Sequence, residues 1–151
     1  IPDSVTSIGN SPLSYNKNLT NVAIPSSVNA IGKSAFSRCS NLEYLPIPEG
    51  VTTIERYTFR SCESLNNVVI PDSVTSIGDS AFFNCRNLTS ILVSDNVDSI
   101  GNNAFHSCIN LANCTIPSST IALGSQTTTL DSEGPVVLQS DVPPLTLGKI
   151  Q

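Results

Sequence analysis

Residues Ile70 to Gly78 read Ile-Pro-Asp-Ser-Val-Thr-Ser-Ile-Gly and repeat Ile1 to Gly9 without a change. The offset is 69 residues, three times 23. Cutting the chain every 23 residues gives units that begin at Ile1, Ile24, Ile47, Ile70 and Val93, with a sixth starting at Ile116 and then fading. So short a unit has too few apolar residues to close a core alone. It buries them only against copies of itself, so the chain is predicted to be a solenoid.

The columns of the repeat say where each rung goes. Position 1 is Ile or Val throughout, position 5 is Val28, Val51, Val74 and Val97, and position 8 is Ile8, Ile31, Ile54, Ile77 and Ile100. Position 13 is Leu13, Phe36, Phe59, Phe82 and Phe105, position 19 is Leu in five units, and position 22 runs Val22, Leu45, Val68, Ile91, Cys114. Leu19-x-x-Val22-x-Ile24 is the strand spacing of a leucine-rich repeat. Alternation turns positions 22 and 1 inward and positions 21 and 23 outward. Pro at position 2 ends the ladder because it has no N–H. Gly9, Gly32, Gly78 and Gly101 suit a turn with unusual dihedrals. Ala-Phe-x-x-Cys at 35–39, 81–85 and 104–108 reads as a helical turn on the opposite side. The expected architecture is a β-rich, right-handed repeat solenoid of the α/β leucine-rich-repeat type. Its parallel sheet forms the concave face, with short second strands and single helical turns on the convex side.

The pattern I-P-x-S-V-T-S-I-G-x-S-A-F-x-x-C-x-N-L resembles the 23-residue repeat of BspA-like bacterial surface proteins, the Treponema pallidum type of leucine-rich repeat, over residues 1 to about 124. Rung 1 departs at Pro12, Leu13 and Asn16, so an irregular convex turn is expected there. The resemblance implies a secreted or surface-anchored protein that binds other macromolecules. Residues 1–123 are read as the solenoid and 124–151 as an irregular capping segment. That tail holds Gly134-Pro135, the β-prone run Val136-Val137-Leu138 and Val142-Pro143-Pro144. Ile1 already sits at a core position without the first half of its strand, which predicts a fragment or a ragged first rung, open to self-association along its edge.

Composition removes several function classes. A net charge of −5 argues against a phosphate-backbone binder, and no apolar run is long enough to cross a bilayer. With one His, no multi-His metal site can form, and no G-x-S-x-G, H-E-x-x-H, P-loop or G-x-G-x-x-G occurs. Neither an enzyme nor a cofactor is expected. Cys39, Cys62, Cys85 and Cys108 share one column and Cys114 fills an aliphatic one. Parallel stacked thiols have poor geometry for a bridge or a tetrahedral metal, so they read as buried apolar fillers. His106 occupies a variable column and reads as a surface residue. Glu49, Asp72 and Asp95 fall in successive rungs at position 3, a solvated loop edge, with weak Ca²⁺ binding as the alternative. Lys17, Lys33, Arg38, Arg56, Arg60 and Arg86 all fall on the convex side, which serves solubility.

The outward strand columns remain as a candidate surface. They comprise Asn21, Tyr44, Asn67, Ser90 and Asn113 at position 21, and Ala23, Pro46, Val69, Leu92 and Thr115 at position 23. An apolar stripe rimmed by Asn and Ser suits a protein partner such as a host extracellular-matrix or cell-surface protein. The stripe points to a non-enzymatic interaction or adhesion module, which the resemblance implies is extracellular or at the cell surface. A structural spacer is the alternative. A carbohydrate-binding module is third, because Tyr44 is the one aromatic on the strand face.

Overall fold

The structure, a computed structural model, describes residues 1–117, 119–125 and the strand 136–138. Among these the chain forms ten short strands: β1 (Ser7–Ile8), β2 (Ala30–Ile31), β3 (Thr53–Ile54), β4 (Asn67–Val69), β5 (Ser76–Ile77), β6 (Ser90–Leu92), β7 (Ser99–Ile100), β8 (Asn113–Ile116), β9 (Ala122–Leu123) and β10 (Val136–Leu138). All pair in parallel, and from rung to rung each pairing joins residues one repeat apart, as in Asn67↔Ser90, Val68↔Ile91 and Val69↔Leu92. One sheet has the order β10-β8-β6-β4, with Asn21 and Tyr44 bridging in the same columns of earlier rungs. The second strands form β1-β2 and β3-β5-β7-β9. Of the tail read as a cap, the described residues are few. Gly124 and Ser125 still donate to the rung before, to the Ile100 carbonyl and to Asn102 Oδ1, and Val136–Leu138 pairs with Cys114–Ile116.

Burial follows the columns. Val28, Val51, Val74 and Val97 are fully buried, as are Ala35, Ala81, Ala104 and the Phe column from Phe36 to Phe105. Rung 3 has Thr58 where its neighbours have Ala, and the hydroxyl is satisfied by donating to the Glu55 carbonyl at 2.8 Å.

The turn side differs from the sequence expectation. Among the described residues there is no helix. Ser34, Tyr57, Ser80 and Asn103 at position 11, and Arg38, Ser61, Asn84 and Ser107 at position 15, have φ between 53° and 62°. That left-handed conformation stops a right-handed helix from propagating. Hydrogen-bonded turns form instead, Ala35 N–H to the Gly32 carbonyl and Cys39 N–H to the Phe36 carbonyl, each with a left-handed residue third, as in type II turns. The amides this frees bond between rungs: Phe36 N–H to the Thr58 carbonyl at 2.9 Å and Phe82 N–H to that of Ala104 at 2.8 Å. A third ladder therefore runs along the turn face. Rung 1 joins it through Ser11, Leu13 and Tyr15, so its turn is regular and the irregularity expected there is absent. Pro12 is tolerated because the position-12 amide takes no part in the ladder, as Ala35 N–H bonds the Gly32 carbonyl within its own turn, and Leu13 still packs against the core.

The glycines also serve another purpose than the dihedral freedom expected of them. None of those described has positive φ. A Cβ on Gly101 would fall 2.5 Å from both Asp79 N and Asp79 Oδ1, and one on Gly32 would fall 2.5 Å from the Gly9 carbonyl carbon. Close approach lets the Asp79 carboxylate accept from Asn102 N–H at 2.8 Å, as the Asn10 amide oxygen accepts from Lys33 N–H at 2.9 Å. Rung 3 carries Glu55 at this column, and there β2 and β3 fail to pair as strands. Gly101→Ala is expected to cost about 1–3 kcal/mol by overpacking. Gly9→Ala, whose added methyl meets nothing within 4 Å, should be nearly neutral. Urea unfolding of the pair checks this, and equal effects would refute the close-approach role.

Candidate interaction surface

Period-two alternation in β4 and β6 points the middle residue in and the flanking ones out. Val69 is 63% exposed, Leu92 62% and Tyr44 56%, large apolar areas for side chains free of any packing duty. Register stacks them: Val69 lies beside Leu92 and Leu92 beside the half-buried Thr115. Pro46 is exposed and shares a groove of about 270 Å³ with Tyr44, Val69 and Pro71. Asn67 and Ser90 form a parallel polar column, where Ser90 Oγ donates to Asn67 Oδ1 at 2.7 Å, and backbone pairing sets Asn113 next to Ser90 in register. Asn21 and Ala23 extend the two columns to rung 1, both exposed.

Acids flank the stripe. Glu49, Asp72 and Asp95 border a second groove of about 440 Å³ that contains Val69 and Leu92. Asp72 is held by Ser94 Oγ at 2.8 Å. Among the described residues no three carboxylate, thiol or imidazole groups converge closely enough to hold a metal ion.

All five cysteines are free and buried. They do more than fill space. Cys39, Cys62, Cys85 and Cys108 each donate S–H to the carbonyl of position 13 one rung earlier, Leu13, Phe36, Phe59 and Phe82, at 3.1 Å. A column of identical residues pointed to burial but carried no sign of this bond. Burial pushes the thiols of Cys39, Cys62 and Cys85 up, and that of Cys114 up to about 12, so thiolate chemistry is suppressed. His106 corrects the sequence reading in another way. It is half-buried and stacks on Phe83 at 5.5 Å. Cys108 gives its S–H to a carbonyl, so the two make no nucleophile–base pair.

The turn face holds a feature that the variable columns of the repeat did not announce. The Arg38 guanidinium lies over the Tyr15 ring at 5.1 Å, and that of Arg60 lies over Tyr57 at 5.2 Å and Phe83 at 5.5 Å. Arg38–Tyr15 and Arg60–Phe83 join neighbouring rungs within positions 15 and 14, and Arg60–Tyr57 joins positions 14 and 11 of one rung.

Six copies of the BspA type leucine rich repeat region match the chain, over residues 1–112 and 52–129. The chain belongs to the BspA-type leucine-rich-repeat family. Leucine-rich repeats of this type are a protein-interaction fold, and the resemblance read from the repeat stands. The BspA-type chain is similar to the Treponema pallidum leucine-rich-repeat protein TpLRR, with 22% identity and a TM-score of 0.73 over 99% of this chain and 81% of that one. It is also similar to the pneumococcal vaccine antigen PcpA, with 24% identity and a TM-score of 0.75 over 94% of this chain and 40% of the other. A leucine rich cell surface protein of Faecalibacterium prausnitzii matches with 29% identity and a TM-score of 0.58, over 85% and 43%. Identities of 22% and 24% show shared fold. No curated protein matches the sequence.

Proposed function

We propose that this BspA-type solenoid is a non-enzymatic adhesion module, secreted or held at the cell surface, that engages a protein partner through its strand face. The observation that carries the proposal is the patch formed by the stacked Val69 and Leu92 with Tyr44 from the adjoining column, each more than half exposed and bordered by Glu49, Asp72 and Asp95. Core columns are fixed by packing, so ligand choice is written in outward columns, and the sheet presents these at a regular spacing. A complementary partner offers apolar side chains flanked by Lys or Arg. The surface setting draws support from the Faecalibacterium prausnitzii cell surface protein, whose fold this chain shares.

Solid-phase binding to an array of purified, deglycosylated extracellular-matrix proteins tests the proposal. Leu92→Lys or Tyr44→Ala should leave the melting curve nearly unchanged and weaken capture by about tenfold or more, as loss of an interface anchor does. Lys33→Glu on the turn face should have little effect. If Lys33→Glu abolishes capture while the strand-face changes are silent, the interaction lies on the other side of the solenoid.

A further inference from the structure

We infer that the turn face binds a linear anionic polysaccharide in the groove formed by Tyr15, Lys17, Arg38, Arg60 and Phe83. The groove measures about 580 Å³ and contains Glu63 as its acid, which the Asn84 amide engages at 3.5 Å. The chain as a whole is acidic, with net charge −5, yet Lys17, Arg38, Arg60 and Arg86 supply one cation from each of four successive rungs. Acids border the strand face instead, so the two faces call for partners of opposite charge.

The cationic heads are already placed. Arg38 rests on Tyr15 and Arg60 is held between Tyr57 and Phe83. Arg86 Nε donates to Asn84 Oδ1 at 2.8 Å. Long side chains ordered before a ligand arrives lose little entropy on binding it. Arg60 Nε is buried between the rings and finds no hydrogen-bond partner among the described residues, so an anionic oxygen would meet this guanidinium at its terminal nitrogens.

Pitch selects the ligand. Successive rungs lie roughly 4.8 Å apart, so along the solenoid axis the face advances one cation per rung, drawn from positions 17, 15, 14 and 17. A polysaccharide with an anionic group on successive rings repeats on a similar scale. An extended acidic peptide repeats same-face side chains at roughly 6.6 Å and falls out of step within a few rungs. Single-stranded nucleic acid needs open aromatic faces for its bases, whereas guanidinium groups cover Tyr15, Tyr57 and Phe83 here. Arg also pairs bidentately with carboxylate or sulfate, which favours such groups over neutral sugars.

Titration calorimetry of the full chain with short heparin oligosaccharides at low ionic strength is the test. Binding is expected, weakening as salt is added. Arg38→Gln, which removes a head packed on Tyr15 alone, should weaken it by about tenfold, and Arg60→Lys, which keeps charge but loses the planar fork, by less. Leu92→Lys should leave heparin affinity unchanged, so failure of the strand-face proposal and failure of this one are told apart. Absence of binding at low salt would overturn the inference, as would unchanged affinity in Arg38→Gln. So would poly-glutamate or oligothymidylate binding as tightly as heparin.

Discussion

Above about pH 9 the protein is expected to lose roughly 4 kcal/mol of stability per pH unit. The slope is carried by three thiols, Cys62, Cys85 and Cys114, each buried and each raised from an ordinary value of 9.0, and Cys39, raised for the same reason, adds to it. Below that value the thiols are protonated in both states and the stability is intact. As pH rises toward the folded values, the unfolded chain releases three protons that the native chain keeps, and equilibrium moves to the unfolded side at about 1.4 kcal/mol per proton and pH unit. A domain of this size commonly has 5–15 kcal/mol in hand, so a few pH units are enough to unfold it. Urea midpoints followed upward from neutral pH measure the slope, and Cys85→Ala should reduce it from three protons to two. A midpoint that stays flat through pH 10 would show that the thiols ionise in the native state.

Phe82→Ala is expected to be the most damaging single truncation of the Phe stack. Phe82 is fully buried between Phe59 at 5.2 Å and Phe105 at 5.6 Å, with interplanar angles of 15° and 18°. Removing it leaves a cavity costing about 3–5 kcal/mol. It also deletes two offset ring pairs, each contributing about 0.5–1.5 kcal/mol beyond area burial. Phe36, at the end of the stack, has one ring partner, Phe59, at 5.7 Å, so Phe36→Ala should cost less. Because each rung is stabilised by its neighbours, damage at Phe82 also uncouples the two halves. The denaturant transition should broaden and its slope fall. Equal losses from the two substitutions would argue against a cooperative stack.

Periodicity made the core legible because burial is what it reports. Val74, Ile77, Phe82 and Leu88 are buried for the same reason that their columns are uniform. Dihedral angles leave a weaker trace. An Ala-Phe-x-x-Cys column fits one turn of helix as well as two type II turns, and at positions 11 and 15 the signal for positive φ in Asn84 and Asn103 is masked by Ser, Tyr and Arg in the other units. A glycine column points first to unusual dihedrals, because the neighbours in space that need the room, such as Asp79 beneath Gly101, lie a full rung away. On the surface, alternation placed Val69 and Leu92 outward. The Arg60–Phe83 contact stayed hidden, since it joins different rungs through side chains that vary from unit to unit.

The three ladders have a kinetic consequence. Their backbone pairings between neighbouring rungs, such as Ser76↔Ser99 and Ile77↔Ile100, span one repeat wherever they occur. The entropy of closing such a loop grows only with the logarithm of its length, and here that length is constant along the molecule. Folding therefore meets its barrier once, in forming the first stacked pair, and each later rung adds at the same small cost. Duplicating a unit lowers the relative contact order instead of raising it, so a longer chain gains interaction surface without folding more slowly. Length thus becomes a quantity that in-frame duplication can adjust freely, one rung at a time.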